Sequence, residues 1–372
     1  MTALFVGLIS GTSVDAIDAA LVSFDDDAPP RLVHALAHPY PDRLRRDVER
    51  AVRAQASSLS ELAALDARIG DAFAEAAIAL TAAAGVDRAR VSAVGSHGQT
   101  LGHYPAGAPA ATLQLGDPNR IAARTGTPVV ADFRRADVAL GGQGAPFAPL
   151  FHASVFSHPG ERRAVLNLGG IANLTVLGAD GGVIGFDVGP ANTLLDLWAS
   201  RHGRGARDED GAFAASGQVL PGLLAALRDD AFFAEAPPKS TGREHFNDDW
   251  LAQRLGGASD RGADVQATLA ELTALTVGDA LAEHAPGVQR VLVCGGGVHN
   301  TDLLSRIGAH AGGARVESTA VAGVDPDFVE AMLFAWLARE RIHARSPAGL
   351  RAVTGAMHAA VLGGVWLPPR QY

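Results

Sequence analysis

Residues Ser10–Asp18, SGTSVDAID, place a glycine, small hydroxyl side chains and two carboxylates in a short turn between two apolar runs. A turn of small residues can aim several backbone N–H groups at one point and so bind an anion. A neighbouring carboxylate such as Asp15 can hold Mg²⁺, usually through water. This combination suits the phosphates of a nucleoside triphosphate. The alternative is an ordinary polar hairpin turn, because Gly, Ser, Thr and Asp are common turn residues.

Two further glycine-rich segments follow apolar runs. In Gly185–Asp196, GFDVGPANTLLD, Asp187 lies at the predicted end of a strand, ahead of a turn at Gly189. A carboxylate there faces the ligand crevice of open α/β folds and could serve as a general base; it could also cap the turn. In Cys294–Asn300, CGGGVHN, three glycines would let the backbone approach a flat ligand. A tight strand-to-helix turn explains them as well.

An arginine pair and a histidine loop are the next candidates. Arg134 and Arg135 lie in DFRRADVALGGQGAPFAP, where an arginine could clamp a phosphate or a carboxylate in a bidentate manner. A surface salt-bridge cluster is the competing interpretation. In Ser96–Pro105, SHGQTLGHYP, His97 either orients a polar substrate or stabilises the loop. The spacing of its two histidines matches no standard zinc motif, so no zinc site is expected there.

The single lysine, Lys239, restricts the nucleotide chemistry. It lies in the segment PPKSTGREHFN, whose composition indicates a functional loop or a solvated turn. The other 30 of the 31 basic residues are arginines. A phosphate-binding loop of the GxxxxGK[ST] type is therefore excluded at the glycine-rich turns. Phosphate charge would have to be met by backbone N–H groups, Mg²⁺ and arginine.

The composition predicts a cytoplasmic protein with two domains. A chain of 372 residues exceeds the usual size of one hydrophobic core, and 48% of its residues are apolar. The net charge of −9 and the lack of a long basic cluster argue against nucleic acid and anionic membranes as partners. The single cysteine excludes an intrachain disulfide and fits a reducing compartment. No apolar run reaches the ~18 residues of a membrane span.

The order of predicted elements indicates an internal duplication. A strand over 4–9, a glycine turn and a strand over 17–22 open the first half. The same arrangement begins again with a strand over 164–168. After the first pair, the pattern predicts a polar stretch and then helices. A strand over 91–95 is expected to run into the SHGQT loop. Two similar halves suggest a ligand cleft between them, with domains at 1–135 and 136–349 and with 350–372 completing the first.

Nine segments, taken together and in this order, resemble the 1,6-anhydro-N-acetylmuramic acid kinase family over nearly the whole chain. They are SGTSVDAID, GSHGQT, QLGDPNRIA, DFRRADVALGGQGAP, NLGGIANLT, FDVGPANTLLD, PPKSTGREHFN, CGGGVHN and EAMLFAWLA. The resemblance implies the fold of the actin, sugar kinase and heat-shock ATPase superfamily. That fold has two duplicated α/β domains, of the ribonuclease H-like type, that close on ATP. Ala16 and Ala191 stand where the family usually has glycine.

The resemblance implies roles for individual residues. Asp187 would be the general base, Arg134 or its neighbour Arg135 a contact to the substrate or transition state, and Glu330 a catalytic carboxylate, with helix capping as the alternative. The substrate-binding group would comprise His97, Gln99, Arg134 and Asp187. The ATP-binding group would comprise Gly11, Thr12, Ser13, Val14, Asp15, Ala16, Ile17, Asp18, Gly169, Gly170, Gly189, Gly295, Gly296 and Gly297. Asp15 would also hold Mg²⁺ through water.

The resemblance further implies a coupled reaction, in which water opens the 1,6-anhydro bridge and O6 takes the γ-phosphoryl group of Mg·ATP. The product would be N-acetylmuramic acid 6-phosphate, an intermediate of peptidoglycan recycling. The expected partners are these small molecules, with a homodimer as a further expectation. Two alternatives stay open: an ordinary hydroxyl sugar kinase of the same fold, and an ATP-driven module of the chaperone or actin type.

Overall fold

The structure, a computed structural model, describes residues 2–11, 14–25, 28–54, 57–178, 181–256 and 261–369. The chain forms two compact units, one of Met1–Phe151 with Phe328–Tyr372 and the other of His152–Asp327. The first unit therefore contains residues 136–151 and 328–349, which the predicted boundaries assign to the second domain. The physical reason is that the helix beginning at Val329 packs against the sheet of the first unit.

The first unit is built on one mixed sheet. Its strands are β1 (Ala3–Ser10), β2 (Ala16–Asp25), β3 (Ala28–Pro39), β4 (Val91–Tyr104), β5 (Ala111–Leu115), β6 (Val129–Ala131) and β12 (Gly364–Trp366). The order is β12-β6-β4-β1-β2-β3, and β5 pairs with β4. β1 pairs antiparallel with β2 and parallel with β4. The carboxyl ends of β1, β4 and β6 therefore lie at one edge of the sheet.

Helices cover both faces of this sheet. They are α1 (Asp42–Ala54), α2 (Leu59–Ala83), α3 (Pro118–Thr125), α4 (Phe133–Ala139), α5 (Ala148–Phe156), α12 (Val329–Ile342) and α13 (Leu350–Thr354), of which α5 runs across the division between the units. A capping box of Ser58 and Glu61 starts α2. Leu65, Ile69 and Phe73 recur at helical spacing in α2 and are buried in the core.

Two glycines let α12 lie directly on the sheet. A Cβ atom on Gly7 of β1 would lie 1.8 Å from the carbonyl oxygen of Ala331. A Cβ atom on Gly95 of β4 would lie 2.0 Å from the carbonyl oxygen of Phe334. Only glycine permits this approach. The close packing fixes the start of α12, and with it Glu330, relative to the ends of β1 and β4.

The second unit has a five-stranded sheet. Its strands are β7 (Arg163–Leu168), β8 (Ile171–Leu177), β9 (Val183–Pro190), β10 (Arg290–Cys294) and β11 (Arg315–Ser318), in the order β11-β10-β7-β8-β9. Its helices are α6 (Asn192–Arg201), α7 (Ala212–Ala215), α8 (Pro221–Arg228), α9 (Asp248–Leu255), α10 (Gly262–His284) and α11 (Thr301–His310). α10 is buried along most of its length, which explains its predominantly apolar sequence.

The two sheets repeat one topology. In each, the first strand lies between an antiparallel second strand and a parallel later strand, and the third strand extends the sheet beyond the second. This repetition confirms the predicted duplicated α/β fold. No helix within the described ranges is both long and apolar enough to span a membrane.

Three local expectations were wrong. β4 does not end at Gly95 but continues through the SHGQT segment to Tyr104, because β5 pairs with this extension. The predicted polar stretch after the first hairpin forms part of β3, because this segment pairs along the free edge of β2, whereas the predicted helices begin after it, as α1 and α2. β9 extends to Pro190, so Asp187 lies within a strand and not at its end.

Candidate active site

The turn between β1 and β2 carries the predicted phosphate-binding segment. The N–H group of Val14 donates a hydrogen bond to the carbonyl oxygen of Gly11 at 3.3 Å. Val14 is buried and has a φ of 54°, a conformation that is costly for a β-branched residue. Strain of this kind is often found where a chain binds a ligand. Thr12 and Ser13, the centre of the predicted nest, lie outside the described residues.

The rest of this segment belongs to β2. Ala16 is not among the positive-φ residues, so the alanine fits the turn without strain. Ile17 is buried in the core and pairs with Ser10, and Asp18 pairs with Ile9. Ile17 could therefore contact phosphate only through its backbone.

Asp15, the predicted Mg²⁺ ligand, is engaged by another residue. Its exposed carboxylate accepts a hydrogen bond from Nη2 of Arg45 at 3.0 Å. Among the described residues, no three or more His, Cys, Asp or Glu side chains converge to hold a metal ion. The described residues therefore show no metal centre built by side chains alone, and the role of Asp15 stays a prediction.

Gln99 ties the hairpin turn to β4. Its Nε2 atom donates to the carbonyl oxygen of Gly11 at 3.3 Å, and its Oε1 atom accepts from the Tyr40 hydroxyl at 3.4 Å. Burial raises the pKa of Tyr40, with a smaller opposing effect from Ser10. The phenol therefore stays protonated, and its O–H group donates to the Oε1 atom of Gln99. In this structure Gln99 supports the turn.

His97 holds Arg134. The Nε atom of Arg134 donates to Nε2 of His97 at 2.8 Å, and Nδ1 of His97 lies 2.9 Å from the carbonyl oxygen of Gly98. Arginine can only donate, so Nε2 must be the acceptor and Nδ1 must carry the proton. Burial and the nearby Arg134 charge hold the pKa of His97 well below its ordinary value. His97 is thus a neutral acceptor that orients the guanidinium group.

The two arginines of the DFRRAD segment have different environments. Nη1 of Arg134 donates to the carbonyl oxygen of Gly144 at 2.8 Å, and its guanidinium carbon lies 5.7 Å from the centre of the Phe147 ring. Arg135 is exposed and pairs with Asp132 at 3.1 Å. Arg134 is therefore held by fixed acceptors, whereas Arg135 forms a local surface pair.

Glu330 lies in the first turn of α12 and interacts electrostatically with Arg134. The Glu330 residue is exposed by its accessible surface, and partial desolvation of its carboxyl group raises the pKa, which the Arg134 charge opposes. Desolvation likewise lowers the pKa of Arg134, while Glu330 and Asp137 act in the opposite direction. Phe334, one turn further along α12, packs against the His97 ring with the ring centres 4.7 Å apart. The first unit thus joins His97 and Arg134 by a hydrogen bond and places Glu330 within electrostatic range of Arg134.

Asp187 is the centre of a separate cluster in the second unit. The Asn173 side-chain amide donates to its Oδ1 atom. The Ser240 hydroxyl and the Thr241 N–H group donate to Oδ2, at 3.0 and 2.8 Å. The N–H group of Asp187 itself donates to the carbonyl oxygen of Lys239 at 3.1 Å. These hydrogen bonds connect the PPKSTGREHFN loop to β9 at Asp187, the predicted general base.

The environment of Asp187 has opposing effects on its pKa. Burial raises the pKa above the ordinary value, and the bonds from Thr241, Ser240 and Asn173 lower it. The net direction is upward. A carboxylate has about four lone-pair positions, and the three donors found in the described residues occupy three. One position stays available for a proton from water or a hydroxyl group, and a raised pKa strengthens the base.

The glycine turn between β7 and β8 caps α6. The carbonyl oxygen of Gly169 accepts the Asn192 N–H group, and that of Gly170 accepts the N–H groups of Ala191 and Thr193, at 3.0–3.1 Å. These glycines therefore bind the start of α6 through their carbonyl groups. Their predicted contact with nucleotide, and that of Gly189, stays a prediction. A Cβ atom on Gly189 would lie 2.8 Å from the Phe233 ring, so this glycine permits close packing.

The three glycines after β10 have distinct surroundings. Gly295 has a φ of 79°, and a Cβ atom on it would lie 2.3 Å from Oδ1 of Asn167. A Cβ atom on Gly297 would lie 2.5 Å from the Leu168 side chain. Gly296 is exposed, and the nearest atom to a Cβ there would be 4.0 Å away. Gly295 and Gly297 thus permit packing against the end of β7, whereas Gly296 leaves an open approach to the backbone.

Sequence reasoning missed several residues that support these clusters. Asn173, Ser240 and Thr241 surround Asp187, although all three lie in segments that carried the family resemblance. A signal for Asn173 was present, because residues equally distant from the turn of a hairpin face each other across its strands, as Asn173 and Asp187 do. No comparable local signal marked Tyr40, which meets Gln99 only through the fold.

Comparison with known proteins identifies the family. The family model described as anhydro-N-acetylmuramic acid kinase matches residues 3–368. A Xanthomonas campestris protein of that name is 54% identical over 366 residues, covering 98% of this chain and 97% of the relative. Proteins of the same name from Xylella fastidiosa and Shewanella amazonensis are 48% and 47% identical, with 97% of this chain and 96% and 97% of the relatives covered. The chain therefore belongs to the anhydro-N-acetylmuramic acid kinase family.

Proposed function

We propose that this kinase uses water to open the 1,6-anhydro bridge of anhydro-N-acetylmuramic acid and phosphorylates the released O6. Water attacks C1, the C1–O6 bond breaks, and O6 attacks the γ-phosphorus of ATP as the bond to the ADP oxygen breaks. The proton of water passes to a base. The products are N-acetylmuramic acid 6-phosphate and ADP, and the reaction belongs to the recycling of peptidoglycan.

The observation that carries this proposal is the arrangement of Asp187. Three donors orient the carboxylate, one acceptor position stays available, and burial raises its pKa. These properties suit a residue that accepts a proton from an attacking water molecule. Asn173 and Thr241 would keep the carboxylate in place during the transfer.

The remaining roles concern the phosphoryl group and the substrate. The hairpin turn after Gly11 would contact the phosphates through backbone N–H groups, and Gly296 would lie beside the adenosine. The guanidinium group of Arg134 is held in place by His97 and the Gly144 carbonyl oxygen. Its positive charge would stabilise negative charge on the substrate or the transferring group. Phosphoryl transfer depends mainly on positioning and charge neutralisation. Mg²⁺ would enter with the ATP phosphates, since the described side chains do not form a metal centre of their own.

An ordinary hydroxyl sugar kinase of the same fold is the alternative, with Asp187 deprotonating a sugar hydroxyl. Isotope labelling separates the two reactions. The anhydro sugar is converted briefly in ¹⁸O-water, and the product is analysed by mass spectrometry beside a control of preformed 6-phosphate that measures exchange at C1. We expect label in the product well above the control. A phosphorylated product with an intact anhydro bridge would refute the proposal.

A further inference from the structure

Asp137 is a buried carboxylate in the first unit, beyond the residues proposed to act in the reaction. It lies on α4, three residues after Arg134, and its exposed fraction is 0%. Burying an ionised carboxylate is costly unless hydrogen bonds or a counter-charge compensate it. Its partners therefore indicate what this charge does for the fold.

The two carboxylate oxygens of Asp137 bind two different segments. Oδ2 accepts the N–H group of Gly144 at 2.7 Å, and Oδ1 accepts the hydroxyl of Thr354 at 2.7 Å. The chain between Asp137 and Gly144 passes close to the carboxylate. A Cβ atom on Gly142 would lie only 2.3 Å from Oδ2. Asp137 thus fixes the 140–144 loop against the end of α13.

The same loop holds Arg134. The carbonyl oxygen of Gly144 accepts Nη1 of Arg134 at 2.8 Å, and His97 accepts from Nε at 2.8 Å. Of the five N–H donors of a guanidinium group, these bonds use two, and the Nη2 side has none from the residues that the structure describes. A long flexible side chain is thereby restricted to one orientation, which removes part of the entropy cost of binding through it.

We propose that Asp137 is a positioning residue, which holds Gly144 and through it directs the free edge of Arg134 toward the substrate. The proposal rests on the proposed function, in which Arg134 contacts the substrate or the transferring phosphoryl group. A small displacement of such a contact can lower the rate by about 10²-fold.

A double-mutant cycle on the full chain tests this role. ADP release with the anhydro sugar is measured for wild type, D137A, R134A and D137A/R134A. We expect D137A to lower kcat by ~10–100-fold, and the double variant to be no slower than R134A, because Asp137 acts only through Arg134. Effects that multiply in the double variant would overturn the proposal. Wild-type kcat in R134A would refute the assigned role of Arg134 and leave Asp137 nothing to position.

Two further variants separate positioning from a general loss of structure. T354V removes the hydroxyl bound to Oδ1 but keeps the bond to Gly144, so its kcat should stay within about threefold of wild type. A loss as large as that of D137A would contradict the proposal. If circular dichroism shows that D137A does not fold, the cycle is run with G144A. Gly144 has a φ of 72°, which strains alanine and displaces the acceptor of Arg134, so the same non-additivity with R134A is expected.

Discussion

Asn173 and Asp187 face each other on β8 and β9, and the Asn173 side-chain amide donates a hydrogen bond to Oδ1 of Asp187. The pairing of two antiparallel strands thus places a neutral donor directly beside a partly buried carboxylate. A hydrogen bond to the charged form lowers a carboxyl pKa, whereas burial raises it. The balance of these two effects sets the pH range in which Asp187 can accept a proton.

Replacing Asp187 by asparagine should abolish most of the turnover. Asparagine keeps the shape of the side chain but cannot accept a proton, so kcat is expected to fall by ~10²–10⁴-fold. ATP affinity, measured by calorimetry, should be retained. The matched control is D279N, which removes an exposed carboxylate paired with Arg228 at the surface of the same unit. Near-normal turnover of D187N would exclude Asp187 as the base.

Removing the Asn173 donor should move the acid limb of the pH–rate profile. The Asn173 bond lowers the pKa of Asp187, so N173A raises it further above its ordinary value. A base must be deprotonated, and the decline of kcat/KM on acidification should therefore begin at a higher pH in N173A than in wild type. The measurement is kcat/KM across the acidic range. An acid limb that moves to lower pH, or does not move, would show that Asp187 is not the group being titrated.

A valine at Gly296 should block nucleotide without disturbing the fold. A Cβ atom there would have open space around it, so the melting temperature should stay close to wild type. ATP affinity should fall strongly, because the side chain would occupy the proposed approach of the adenosine.

The control for this variant is G308A, in the exposed part of α11. A Cβ atom on Gly308 meets no neighbour within 4 Å, and alanine favours a helix over glycine by up to about 1 kcal/mol. G308A should bind ATP normally and melt slightly higher. If G296V binds ATP as well as G308A does, the nucleotide does not lie against this turn.

The stability of the second unit should depend on the ionisation of Asp196. Burial raises the pKa of this carboxyl to about 6, while Arg243 and Arg207 act in the opposite direction. Because the folded state binds the proton more tightly than the unfolded state, stability is lost as pH rises from the ordinary value through about 6. D196N removes this titration. Its melting temperature should exceed that of wild type at pH 8, and the difference should shrink at pH 4; an equal difference at both values would contradict this.

Local patterns sufficed for much of the fold. The alternation between apolar runs and glycine turns predicted β1, β2, β7 and β8, and helical spacing predicted α2, because each signal lies within one element. β3 was missed because its sequence gives no strand signal of its own and its pairing with β2 supplies the structure. The extension of β4 through His97 was missed for the same reason, since β5 provides the partner strand.

The candidate residues show the same limit. Residue type, neighbouring glycines and the family resemblance singled out Asp187 and Arg134 as candidates, and their roles stay predictions. The function of His97 as an acceptor for Arg134 depends on a contact across 37 positions of the chain. The donors at 240 and 241 reach Asp187 across more than 50 positions. Such contacts are set by tertiary packing, and no local spacing encodes them.

The position of the single lysine allows the opening of one loop to be followed by proteolysis. Lys239 donates from Nζ to the carbonyl oxygens of Phe232 and Phe233, and its own carbonyl oxygen accepts the N–H group of Asp187. A lysine-specific protease therefore has one peptide bond to cut, directly before Ser240 in the loop that orients the carboxylate. The rate of that single cleavage, read as two fragments on a gel, would follow the opening of this loop in the native sequence without any label or substitution.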